Sequence, residues 1–199
     1  MKILLVGASG TIGRAVRDEL ALRHEVLSAG RHSGEVAVDL TSPDSIRSMY
    51  QTVGKVDAVV STAGKTFFGA LQELTPENNE ISIRSKLVGQ MNLVLLGLNH
   101  VNDGGSFTLI TGIIMDDPIV SGTSAAMTGG AIRSFVKSAA IEMPRGIRIN
   151  NVSPTIVQES METYGPYFPG FVPVPASRVA QAFRKSVEGG QTGQTYTVY

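Results

Sequence analysis

The chain contains no cysteine among its 199 residues. That excludes a disulfide framework and any thiolate chemistry. Histidine is scarce: His24, His32 and His100 stand far apart and make no ligand spacing such as H-E-x-x-H, so no metal site is expected. Neither sign of charge is in excess, with 17 basic against 17 acidic residues. A nucleic-acid surface, a polybasic membrane contact and an acidic tail are all unexpected on that balance. Long hydrophobic runs are missing too. The longest, Asn92–Leu98, falls far below the roughly 20 residues that cross a bilayer. The N-terminus runs straight into a strand with one early lysine and no small-residue cleavage pattern, so a cytoplasmic protein without a signal peptide is expected. The sequon Asn151-Val152-Ser153, followed by Pro154, then has no glycosylation reading. What is present is 42% hydrophobic, enough for one well-cored domain over residues 1–199.

Strands and helices alternate. Ile3–Val6 is a short apolar run of the kind buried on both faces of a sheet. Thr11–Leu22 has helical spacing through Ile12, Val16 and Leu20, Val26–Ala29 is a second strand, and Glu35–Val38 a short third. Ser42-Pro43-Asp44 is a helix start: a serine cap, proline in the first turn, and a carboxylate at the positive end of the dipole. Ala58–Ser61 is another strand. Thr75-Pro76-Glu77 repeats the helix-start chemistry and opens a long helix through Ile81, Val88, Met91, Leu95 and Leu98. Asp103-Gly104-Gly105 reads as a turn into the strand Phe107–Ile110, followed by a helix over Ala131–Ile141 and a strand over Ile147–Val152. Gly165–Pro175, with four prolines and several aromatics, reads as an ordered loop. Ser177–Glu188 is helical and Thr195–Val198 is a last strand. This alternation predicts an α/β fold: a single doubly wound (Rossmann) parallel sheet with helices on both faces. Ligands then bind at the carboxyl ends of the strands, near the switch in strand order.

The strand ends carry the candidates. Gly7-Ala8-Ser9-Gly10-Thr11-Ile12-Gly13 follows the first strand and opens a helix. Its glycines let backbone approach a pyrophosphate, and the helix N-terminus supplies free N–H groups. A tight structural turn is the plain alternative. Gly30-Arg31-His32-Ser33 follows the second strand, where an NAD site usually has an acidic residue; Arg31 instead suits a 2′-phosphate, so NADP(H) is preferred over NAD(H). A solvated surface arginine is the other reading, and His32 and Ser33 fit a turn as well as a contact. Asp39-Leu40 offers a carboxylate to an adenine amino group, or a cap for the turn before Ser42. Ser61-Thr62-Ala63-Gly64 supplies small residues over which a cofactor can lie.

Taken together, the Gly7–Gly13 loop, Asp39-Leu40, Ala63-Gly64, the long helix from Thr75 and the stretch Ile147–Pro154 resemble a short-chain dehydrogenase/reductase over nearly the whole chain. The resemblance implies that Pro154 packs on a nicotinamide ring and that the backbone at Ile156 and Val157 holds its carboxamide. Thr155 stands where the family has a glycine. It also implies a homodimer or homotetramer, through the helices Thr75–Asn99 and Ala125–Ile141. The small residues Ala125, Ala126, Gly129, Gly130 and Ala131 permit close helix approach, and burial within the monomer explains them equally well.

The family's reaction is hydride transfer between nicotinamide and a carbonyl or alcohol carbon, with a tyrosine, lysine, serine and asparagine handling the proton. Aligned through Phe135-Val136-Lys137-Ser138, the tyrosine position is Ala125, the lysine position Gly129, the serine position Gly112 and the asparagine position Lys86. None of the four is kept, and no tyrosine in the chain has a lysine four residues later. Candidate stand-ins are Lys86 for a charge or proton, and Thr111 or Ser124, with Thr128 a helical turn on, to orient an oxygen. Tyr164 and Tyr167 belong to an expected lid with Phe168 and Phe171. Each also has a structural reading: a solvated helix face, a strand-end bond, a helix cap, a loop core. The expectation is an NADPH-dependent oxidoreductase with a non-standard site and a small carbonyl or alcohol substrate. The alternative is a non-catalytic NADP(H)-binding sensor or interaction protein; an empty scaffold is a third reading.

Overall fold

A computed structural model describes all of residues 1–199. Seven strands form one sheet: β1 (Lys2–Val6), β2 (Glu25–Gly30), β3 (Val36–Ala37), β4 (Val56–Ser61), β5 (Val101–Ile110), β6 (Arg148–Pro154) and β7 (Thr195–Val198). Their order is β3-β2-β1-β4-β5-β6-β7, and every pairing is parallel. The strand order reverses between β1 and β4, where Val6 pairs with Ser61. The crevice beyond those two strand ends is the place such folds use for ligands.

Helices cover both faces because alternate strand residues point opposite ways. Leu4 and Val6 face a core of 20 buried residues shared with α2 (Pro43–Val53), α4 (Gly89–Gly97) and α5 (Thr123–Ala139). Ile3 and Leu5 face a second core of 18, shared with α1 (Thr11–Ala21) and α7 (Ala176–Glu188). Local chemistry sets the helix starts. The Ser42 hydroxyl accepts from the Ser45 amide before α2, and Thr75 accepts from Asn78 before α3 (Pro76–Ser82), each with proline in the first turn.

Four elements depart from the sequence reading. The helix from Thr75 is not regular: a π segment, Ile83–Val88, joins α3 to α4. Asp103-Gly104-Gly105 lies inside β5, where the register against β4 slips from Val56↔Val101 to Ala58↔Ser106. The third strand is only Val36–Ala37. Finally, α5 begins at Thr123 rather than Ala131, because its small residues pack inward; a Cβ on Gly129 would lie 3.4 Å from Met115 Cβ. The Gly165–Pro175 loop is preceded by a short helix, α6 (Met161–Tyr164), and opens on a 3₁₀ turn, Gly165–Tyr167.

Candidate functional site

The loop after β1 is built for close approach. Gly7 has φ +93°, and a Cβ there would stand 2.9 Å from Ala63 Cβ, so the loops after β1 and β4 touch only through glycine. A Cβ on Gly13 would lie 2.0 Å from the Gly7 carbonyl oxygen, which seats α1 tightly on the turn. Helix α1 begins at Gly10 with no side-chain cap. The amides of Thr11, Ile12 and Gly13 make no backbone hydrogen bond, and Ser9 and Gly10 are exposed. Open donors at a positive dipole end suit anionic oxygens. At the other end of the crevice, Ile156 and Val157 are buried, and their amides likewise have no backbone partner. Backbone N–H groups without partners are rare in buried residues, and this pair lies in the loop that leaves β6. Both sets of residues therefore fit a dinucleotide laid across the switch point.

The adenosine-side candidates are found in contact with one another. Arg31 donates to Asp39 Oδ1 at 3.2 Å, and that oxygen also accepts from the Thr41 amide at 2.9 Å and hydroxyl at 2.8 Å. The bonds from Thr41, ahead of the Arg31 charge, hold the Asp39 carboxyl below the usual carboxylate range. The turn-capping reading of Asp39 is thus realised in the geometry, with Oδ1 accepting all three bonds. Arg31, His32 and Ser33 are exposed. Leu40 belongs to the core, and Ser61 is 0% exposed with an unpartnered hydroxyl, so neither side chain reaches the crevice.

Beyond the end of β5 lies a cavity of about 170 Å³. Its wall holds Lys86, Gly112, Ala125 and Gly129, the four positions onto which the resemblance maps the family's reactive set, together with Pro154. These residues come from the π segment, the β5 end, α5 and β6, and only the fold brings them together. Thr66, Phe68, Thr111, Thr155 and Phe168 also line it.

Lys86 is the one charged side chain among the 13 lining residues. Its stem crosses Gly64, whose φ of +131° leaves room for it; a Cβ there would meet Lys86 Cδ at 2.6 Å. The residue is half-buried and lies on the cavity wall. Desolvation pulls its pKa down to about 8, and no opposing charge or hydrogen bond acts on it. An amine that titrates there is suited to give or take a proton near neutrality.

The other candidates separate. Thr111 lines the cavity, but its hydroxyl is held between Val152 O at 3.3 Å and Asn151 Nδ2 at 2.8 Å. That same bond shows Asn151, 0% exposed, to be a core side chain rather than a glycan acceptor. Ser124 does not line the cavity; it donates to Asn79 Oδ1 at 2.7 Å and lies 2.7 Å from the Ser82 hydroxyl, tying α5 to α3. Thr128 bonds back to Ser124 O and Ala125 O within its own helix. Tyr164 and Tyr167 are exposed and pack on Phe68 at 6.0 and 5.9 Å, so they brace the wall rather than enter it. Phe168 is on the wall, held edge-on by Phe171 at 5.4 Å.

Sequence reading missed Thr66 and Phe68. The signal was the pair of serines on the helix opposite. Lys65 and Phe67 donate their amides to Ser85 at 2.9 Å and Ser82 at 2.8 Å, which fixes Thr66 between two anchored residues.

A family model described as Enoyl-(Acyl carrier protein) reductase matches residues 11–187. The chain belongs to the short-chain dehydrogenase/reductase family. Members of this family are oxidoreductases that use a nicotinamide cofactor. Among curated relatives, Glucose and ribitol dehydrogenase homolog 2 of Arabidopsis thaliana is 27% identical over 153 residues, covering 73% of this chain and 52% of that protein. Hydroxynaphthalene reductase arp2 of Aspergillus fumigatus is 27% identical over 173 residues, covering 82% and 63%. The chain therefore spans between half and two thirds of the length of these relatives. Among solved structures, the protein lin1944 from Listeria innocua is 62% identical, covers 100% of both chains and superposes with a TM-score of 0.99. A small-chain dehydrogenase crystallised with NADPH, 21% identical, shares the fold with a TM-score of 0.88 over 100% of this chain and 96% of its own.

Proposed function

We propose that this family member is an NADPH-dependent oxidoreductase of a small carbonyl or alcohol substrate, with Lys86 in place of the usual proton-handling set. The observation that carries the reading is the convergence of all four replaced positions on one cavity, with a single ionisable group, Lys86, on its wall. NADPH, when bound, supplies the hydride. The free Thr11, Ile12 and Gly13 amides would hold the pyrophosphate, Pro154 and the Ile156 and Val157 amides the nicotinamide end, and Arg31 the 2′-phosphate. The Arg31–Asp39 pair is no obstacle. With side chains 57% and 38% exposed it is a surface pair worth little, and a doubly charged phosphate competes for the guanidinium. Lys86 Nζ would give the substrate's carbonyl oxygen the proton that its reduction to an alcohol needs, and would regain one from water.

Thermal unfolding with each nucleotide tests the cofactor assignment. At one hundred times its dissociation constant, NADPH stabilises by about 3 kcal/mol, a rise in Tm of roughly 5–10 °C. Arg31→Asp is expected to weaken NADPH about tenfold and NADH much less; equal weakening of both removes the 2′-phosphate role. If NADPH shifts the Tm but no aldehyde, ketone or quinone oxidises it, the second reading takes over: a non-catalytic NADP(H)-binding sensor. The replacement of the family's phenol position by Ala125 favours that second reading. A cytoplasmic homodimer or homotetramer completes the proposal, on the exposed apolar face of α4 and α5.

A further inference from the structure

Lys86 poses a question that general proton handling does not answer. The protein leaves an ammonium on the wall of a confined cavity and gives it no carboxylate, although the chain has 17 acidic residues. An unpaired buried charge is costly, and such charges are kept where they meet a ligand. The amine is also held in place: its stem is fitted over Gly64, and the Gln90 amide bonds the Lys86 carbonyl at 3.1 Å.

The rest of the wall describes what the ligand must be. Phe68, Ile113, Ile114 and Phe168 are apolar and suit a short alkyl group. The cavity is about 170 Å³, and Pro154 and Ile156 on its wall belong to the proposed nicotinamide end, so the ligand beside them is small. Thr111 is committed to Val152 and Asn151; of the other two wall threonines, Thr155 has its hydroxyl buried and unpartnered, and Thr66 lies on an anchored loop. There is one cation, with no phenol and no second charge on the wall. The same ammonium must therefore meet both the substrate's anionic oxygen and its reacting oxygen. One ammonium does so most directly when those two oxygens sit on adjacent carbons.

We infer that the cavity takes a small 2-oxo or 2-hydroxy carboxylate, with the carboxylate and the neighbouring oxygen sharing the Lys86 ammonium and Thr66 alongside. This names a substrate class for the proposed oxidoreductase and rests on that reading for the cofactor's place. It does not rest on it for the anion site itself, which is made only of this chain's residues.

The test is a saturation-transfer NMR titration of pyruvate and its neutral isostere pyruvamide, into the protein alone and into the NADP⁺-loaded protein. Pyruvate is expected to bind the loaded protein at least about tenfold more tightly than pyruvamide, the size of one charge-assisted contact. Lys86→Met should bring the two to the same affinity and move NADP⁺ affinity by less than about threefold. Equal binding of pyruvate and pyruvamide to the wild-type protein overturns the inference without any variant. So does a Lys86→Met protein that loses NADP⁺ yet still prefers pyruvate, because the amine then serves the cofactor. A protein that prefers pyruvate but binds no NADP⁺ upholds the anion site and removes the oxidoreductase reading instead.

Discussion

Lys86 carries a cost that nothing else in the chain offsets. Its pKa of about 8 lies below the ordinary 10.5 because the ammonium is desolvated. Between those two values the unfolded chain holds the proton and the folded chain does not. Stability therefore rises as pH climbs from about 8 to 10.5, and below about 8 the folded protein bears the full cost. Lys86→Met keeps the stem and removes the charge. It should raise stability at pH 7 by on the order of 1–3 kcal/mol, a range kept low because part of the side chain still meets the open cavity. The gain should fade above pH 10.5. Urea unfolding of both proteins across pH 7 to 11 checks it; a gain that does not change with pH means that packing, not charge, is responsible. The opposite logic holds at Asp39, whose lowered pKa contributes stability above the ordinary carboxylate range that is lost on acidification.

Among the elements, the π segment Ile83–Val88 has the clearest structural consequence. A one-residue widening of a helix rotates the turns downstream of it and frees a carbonyl, and such segments recur at functional sites. Here Gln90 takes up the slack. It is 0% exposed, and its Nε2 donates to Lys86 O at 3.1 Å and Ile110 O at 3.0 Å while its Oε1 accepts from the Ile110 amide at 2.9 Å. The pairing of β4 with β5 ends at Val60↔Thr108, so Gln90 stands in for a strand partner that has turned away. Gln90→Leu should cost about 3 kcal/mol, since it leaves buried backbone groups unmet. Denaturant unfolding measures this, and a loss under about 1 kcal/mol would mean that water replaces the amide. A variant that stays folded should also lose cavity binding, because the segment carrying Lys86 is no longer tied to the β5 end.

On the scale of the whole molecule, an apolar groove of about 280 Å³ lies between α4 and α5, lined by Val94, Leu95, Leu98, Phe135 and Met143. Leu95 is 54% exposed and Ile141 86%. The small residues of α5 divide between two duties. Ala125 and Gly129 serve the cavity, whereas a Cβ on Gly130 would meet nothing within 4 Å. The burial reading of that run thus holds for Ala125 and Gly129 and not for Gly130. If the groove is a subunit contact, Leu95→Glu should convert the oligomer to monomers in sedimentation velocity without changing the fold seen by circular dichroism. A wild-type protein that sediments as a monomer at tens of micromolar removes the interface. No helix is long and apolar enough to cross a membrane.

The parallel sheet, the helix starts at Ser42 and Thr75, and the uncapped glycine loop after β1 were all legible in the sequence, because they rest on short-range patterns: strand alternation, capping chemistry, a turn that tolerates no Cβ. The resemblance singled out Lys86, Gly112, Ala125 and Gly129, but not that they meet. It took the packed fold to bring Lys86, Gly112, Ala125 and Gly129 to one cavity, to spend Ser124 on Asn79, and to lean Arg31 on Asp39. The cause is the same in each case. A side chain's partner across the fold is set by how elements pack. The π segment that aims Lys86 leaves no mark in helical periodicity, since it shifts the turn rather than the residue types.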